Sequence, residues 1–130
     1  MDRKKLLKFL VSLMLFMFVV NLAANKFYLF YSLWYFDIFM HFLGGAWVGL
    51  FFVYVLGRQN QALPSAPRIL LYVLVVGLLW EFFELFSHNY IGRDSFDILD
   101  TFSDVIFDLA GGAFAVFFCF NKLRLKEKVE

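Results

Sequence analysis

Residues 37–56 read DIFMHFLGGAWVGLFFVYVL, an acid followed by an apolar run interrupted by His41. A membrane span needs about 20 mostly apolar residues, each adding roughly 1.5 Å. This stretch has that length, and three more do as well. Residues 6–24 carry Lys8 near their start and then only Ser12 and Asn21 as polar interruptions, residues 69–86 are apolar until Glu81, and residues 102–120 are apolar apart from Ser103, Asp104 and Asp108. The expectation is an all-α polytopic membrane protein. Four transmembrane helices form a small bundle, and the 130 residues make a single transmembrane domain.

Composition agrees with the spans. Hydrophobic residues make up 62% of the chain, against roughly 45–50% in ordinary proteins. A soluble domain of this size has no interior large enough to hide that much apolar surface. The net charge of +1 leaves no basic surplus, which argues against nucleic acid as a partner. A lone cysteine, Cys119, excludes an intrachain disulfide; deep in the last span it reads as core filler. The basic start of the first span resembles a signal peptide, but its apolar run is long and no clean cleavage site follows, so it reads as a retained span.

Charge sets the orientation. With four spans, both termini share a side with the 57–68 loop. That side holds Arg3, Lys4, Lys5, Lys8, Arg58, Arg68, Lys122, Arg124, Lys126 and Lys128, and the other holds only Lys26 and Arg93. The positive-inside rule then makes both termini cytoplasmic, in a protein of the cell membrane. Residues 27–36, FYLFYSLWYF, suit an interfacial aromatic segment, and residues 88–100 a polar outer loop. Ser65 is placed to cap the third span, next to Pro64 and Pro67.

In that orientation eight of the eleven acids fall in the outer half: Asp37, Glu81, Glu84, Asp94, Asp97, Asp100, Asp104 and Asp108. His41 and His88 fall at the same level. At 100° per residue, Asp37 and His41 share a stripe that continues to Gly44 and Val48. Gly77, Glu81, Glu84 and His88 share another, and Asp97, Asp100, Asp104, Asp108 and Gly111 a third. Glycines at 44, 45, 77, 111 and 112 allow close helix packing. An ionised acid in the bilayer centre costs about 2.5–3.5 kcal/mol on insertion scales. These acids must therefore meet water, a proton, a base or a cation. Carboxylates with imidazole suit a divalent metal, and Asp37, His41, Glu81, Glu84, Asp104 and Asp108 are the candidate ligands, joined by Arg93 for a polar ligand.

Each residue also has a plainer reading. Thr101-x-x-Asp104 matches a capping box. Asp37 complements a helix N-terminus. Glu81 and Glu84 can sit in headgroup water, His88 in a loop, and Asn21 and Asn25 at the interface. Asp108, two turns into the last span, has no such account. Motifs for hydrolase elbows, zincins and phosphate-binding loops are absent.

The runs FDIFMHFLGG (36–45), WEFFE (80–84) and GRDSFDILDTFSDVIFDLAGG (92–112) together resemble the VanZ-like membrane proteins and the related YjdF-like group. The matching positions are Asp37, His41, Glu81, Glu84, Arg93, Asp104, Asp108, Gly111 and Gly112. Glu84 stands where VanZ-like proteins often have Gln, and Asp108 where they often have Asn, so this site is more acidic. The resemblance implies a role at the cell surface, where VanZ-like proteins are associated with glycopeptide resistance.

Three functions remain open at this point. One is an outer-leaflet site that binds a cation or a polar lipid or cell-envelope headgroup. The second is a metal-dependent hydrolase or transferase acting on a phosphate-bearing lipid, with His41, Glu81 and Asp108 as catalytic candidates. The third is a structural subunit whose acids pair with a basic partner. The lack of a distinct nucleophile ranks binding above catalysis.

Overall fold

The computed structural model describes residues 3–33, 35–60, 65–91 and 98–129, with side chains except at 30–31, 58–60, 87–91 and 123–129. Among the described residues there are no strands. The elements are α1 (Arg3–Lys26), α2 (Leu29–Ser32), α3 (Phe36–Asn60), α4 (Ala66–Ile91) and α5 (Ile98–Val129). All but α2 are long and apolar enough to cross a membrane.

Each long helix outruns its apolar run. Residues 69–86 lie within a 26-residue α4, and residues 102–120 within a 32-residue α5. The backbone ladder does not require apolar side chains, so a helix continues through the headgroup zone after its side chains turn polar. The polar loop expected at 88–100 shrinks accordingly, because residues 88–91 finish α4 and residues 98–100 begin α5. The aromatic segment contains the single turn α2. Tyr28 ends α1 by turning left-handed at φ 56°, and its carbonyl accepts from both the backbone and the hydroxyl of Ser32. Ser65 directly precedes α4, and its carbonyl accepts the Ile69 N–H.

The tightest pairing is α3 with α5, and glycine is the cause. A methyl on Gly45 would run into the Asp108 carbonyl, and one on Gly111 into the Phe42 carbonyl. Gly49 brings its helix to within 3.2 Å of the Gly112 Cα, measured from where a Cβ would stand. Lipid is as apolar as leucine, so close backbone packing takes the place of the hydrophobic effect in holding such helices together. Gly44, one residue from Gly45, faces open space. The core beyond these contacts gathers Ala46, Leu50, Val53, Ile69, Val73, Ala115, Val116 and Cys119. α4 packs against both α3 and α5, while α1 leans on α3. Leu6 and Leu10 enter the core, and Trp47 Nε1 donates to the Leu10 carbonyl at 2.9 Å. The remaining face of α1 presents Phe9, Met14, Leu15, Phe16, Phe18 and Val19 outward, as a lipid-facing surface should.

Candidate functional site

The acids and His41 meet where α3 and α5 begin and α4 nears its end. Asp37 and His41 are one turn apart on α3, and Asp104 and Asp108 one turn apart on α5, so each pair lines one stripe of its helix. Glu81 reaches the same point from α4. His41, Glu81, Asp104 and Asp108 are all buried, and Asp104 is only 1% exposed. Asp37 is partly exposed and opens the cluster to its surroundings.

His41 is the hub. Its Nδ1 donates to Asp108 Oδ1 at 3.1 Å. With Nδ1 carrying the proton toward a carboxylate, Nε2 presents its lone pair on the other side of the ring. That nitrogen faces Asp104 Oδ2 at 3.4 Å, Asp37 Oδ1 at 3.7 Å and Glu81 Oε1 at 4.0 Å. None of the three is at the roughly 2.7–2.9 Å of a charge-assisted N–H···O bond. Among the described residues, His41 is the one basic partner of Asp37, Glu81, Asp104 and Asp108. Asp104 Oδ1 and Glu81 Oε1 are buried with no hydrogen-bond partner. A buried polar atom left in that state costs on the order of 1–3 kcal/mol, and more when charged.

Glycine makes the room. A Cβ on Gly77 would stand 2.8 Å from Asp108 Oδ2, so the bare backbone of α4 leaves the space that this carboxylate fills. Gly45 admits the backbone of the same residue from α3. Asp108 is thereby seated between two glycines with its free oxygen toward α4.

The structure thus brings together Asp37, His41, Glu81, Asp104 and Asp108. Glu84 stands at the margin, half-buried, and accepts from Trp80 Nε1 at 3.0 Å. Ligand atoms of Asp37, His41 and Asp104 lie within 4.8 Å of one another, and so do those of Glu81, Glu84 and Asp104. The capping role considered for Asp104 does not hold: α5 starts at Ile98, two turns earlier, and the side chain is buried against His41 instead. Placement of Glu81 in headgroup water fails likewise, because α4 runs on to Ile91 and Glu81 turns inward. Asp100 is exposed in the first turn of α5. Arg93, Asp94 and Asp97 lie outside the described residues, as does the side chain of His88. Gly49 and the Trp80–Glu84 bond add to the residues that the sequence singles out. The Gly45-x-x-x-Gly49 spacing was the available signal for the first, and the four-residue separation on one helix for the second.

An apolar groove lined by Leu70, Leu74, Ile106 and Ala110 runs between α4 and α5 and contains none of these acids. No curated protein and no solved structure matches the chain. A family model does match, over residues 2–124, a range that takes in every residue of the cluster: the chain belongs to the predicted membrane protein family DUF2238.

Proposed function

We propose that this integral membrane protein binds a divalent cation in a site formed by Asp37, His41 and Asp104, with Glu81 beside them. One observation carries the reading: Asp108 holds the His41 ring with Nε2 turned toward three carboxylate oxygens at 3.4–4.0 Å. A ring nitrogen surrounded by carboxylate oxygens needs positive charge at that point, and a bound cation supplies it while the ring stays neutral. Imidazole oriented by a second carboxylate is the usual support of a metal-bound histidine. One nitrogen among several oxygens suits manganese or zinc. The ten-to-two excess of basic residues supports cytoplasmic termini and a site in the outer half of the cell membrane. The likeness to VanZ-like and YjdF-like proteins over residues 36–45, 80–84 and 92–112 fits a role at the envelope surface.

The test uses protein purified in detergent. Metal analysis should find at least about one divalent ion per chain after Mn²⁺ loading and desalting. Added Mn²⁺ should raise the unfolding temperature, since a ligand of the folded state alone stabilises it by mass action. His41→Ala and Asp104→Asn should abolish both effects, whereas Asp2→Ala and Glu127→Ala, near the two ends of the chain, should change neither. A wild-type protein with no retained metal and no thermal shift would overturn the proposal.

A further inference from the structure

Placing one cation against His41 Nε2, Asp37 Oδ1 and Asp104 Oδ2 leaves a residue of unmet chemistry. Asp104 Oδ1 is still buried without a partner, and so is Glu81 Oε1. Both belong to residues that are at least nine-tenths buried. The two residues meet Glu84 in a second group whose ligand atoms all lie within 4.8 Å of one another. Asp104 is the member that the two groups share.

Charge points the same way. The cluster and its margin hold five carboxyl groups, those of Asp37, Glu81, Glu84, Asp104 and Asp108, around a single imidazole. Resting on the proposed cation site, we infer that the protein holds two divalent cations with Asp104 as the shared ligand: Asp37 and His41 complete the first position, Glu81 and Glu84 the second. A carboxylate with one oxygen toward His41 and the other unpartnered is a bridging ligand by its geometry. The partly exposed Asp37 gives the first position access from the surface.

Mn²⁺ serves as the probe because two manganese ions that share a carboxylate couple magnetically. Full-length protein in detergent is titrated with Mn²⁺, and stoichiometry is read by equilibrium dialysis and electron paramagnetic resonance. Wild type should bind two ions per chain and show a coupled multiline spectrum. Glu84→Gln keeps an acceptor for Trp80 Nε1 and so preserves the local packing; it should bind one ion and show the six-line signal of isolated Mn²⁺. Its metal-free unfolding temperature, matched to wild type, separates loss of a ligand from loss of fold. One ion per chain in wild type with a six-line signal would overturn the second position and leave the single-cation reading intact. Two uncoupled ions, or two ions retained by Glu84→Gln, would overturn the assignment of ligands. No bound ion at all would remove the cation site itself and this inference with it.

Discussion

Replacing Gly77 by alanine tests whether Asp108 orients His41 for a cation. The new methyl would stand 2.8 Å from Asp108 Oδ2, where ordinary contact begins at 3.4 Å. The carboxylate must therefore withdraw by about 0.6 Å. Its other oxygen already holds His41 Nδ1 at 3.1 Å, and a comparable displacement there would take the bond beyond hydrogen-bonding range. The clash falls on the end of a side chain, so the helices need not separate. Alanine is also the better helix former by about 1 kcal/mol, so the fold should survive. The expected result is a loss of Mn²⁺ affinity of roughly 10–100-fold, about 1.4–2.7 kcal/mol, as when an orienting partner of a metal-bound histidine is removed. Titration calorimetry in detergent measures the affinity, and circular dichroism checks the helix content. Gly44→Ala is the matched control, because its methyl meets nothing within 4 Å; its affinity should equal wild type. Unchanged affinity in Gly77→Ala would refute the orienting role of Asp108.

Three further outcomes follow from the packing. Gly45→Ala and Gly111→Ala each drive a methyl into a backbone carbonyl of the partner helix, so both should lower thermal stability in detergent by about 1–3 kcal/mol or more, while Gly44→Ala leaves it unchanged or raises it. Trp47→Phe removes the bond to the Leu10 carbonyl and should cost about 0.6–1.7 kcal/mol, with α1 becoming the first helix to be cut in limited proteolysis. Cys119 is 2% exposed and should resist a maleimide in the folded protein, then react in step with unfolding on heating; rapid labelling of native protein would contradict its place in the core.

The spans and the convergence of acids were legible because both follow from one-dimensional rules. Apolar length marks a helix, and a spacing of four places Asp37 with His41, and Asp104 with Asp108, on common stripes. Asp108 stood out because no cap explains an acid two turns inside an apolar run. What escaped the sequence depends on neighbours distant along the chain. Gly44 and Gly45 are adjacent and chemically identical, yet a rotation of 100° puts one against Asp108 and the other in open space. The tie between Gly77 and Asp108 spans two helices, and nothing in either local sequence announces it. Helix ends are less legible for a different reason: apolarity marks where a span can end, and hydrogen bonding continues past that point in α4 and α5.

The same contacts would tie the proposed cation to the assembly of the bundle. Asp37 and His41 belong to α3, Glu81 and Glu84 to α4, and Asp104 and Asp108 to α5. Without a cation, these helices gather five carboxyl groups around one imidazole in a buried place where water screens charge poorly. Glycine packing draws α3 and α5 into contact regardless, since Gly45 and Gly111 let each backbone touch the other. The electrostatic cost must then fall most heavily on the docking of α4, whose Gly77 meets a side chain of α5 and not its backbone, and which contributes Glu81 and Glu84. A cation held by Asp104 and Glu81 reverses the sign of that interaction and turns repulsion into a cross-link between α4 and α5. Metal binding should therefore stabilise the α4 contacts more than those of α1, which touches α3 through Leu6, Leu10 and Trp47 and contributes none of the described ligands. Hydrogen exchange with and without Mn²⁺ would show this as protection gained at the Glu81 end of α4, with α1 unchanged. Uniform protection across all four long helices would mean that the ion acts on the bundle as a whole and that α4 is not the element it secures.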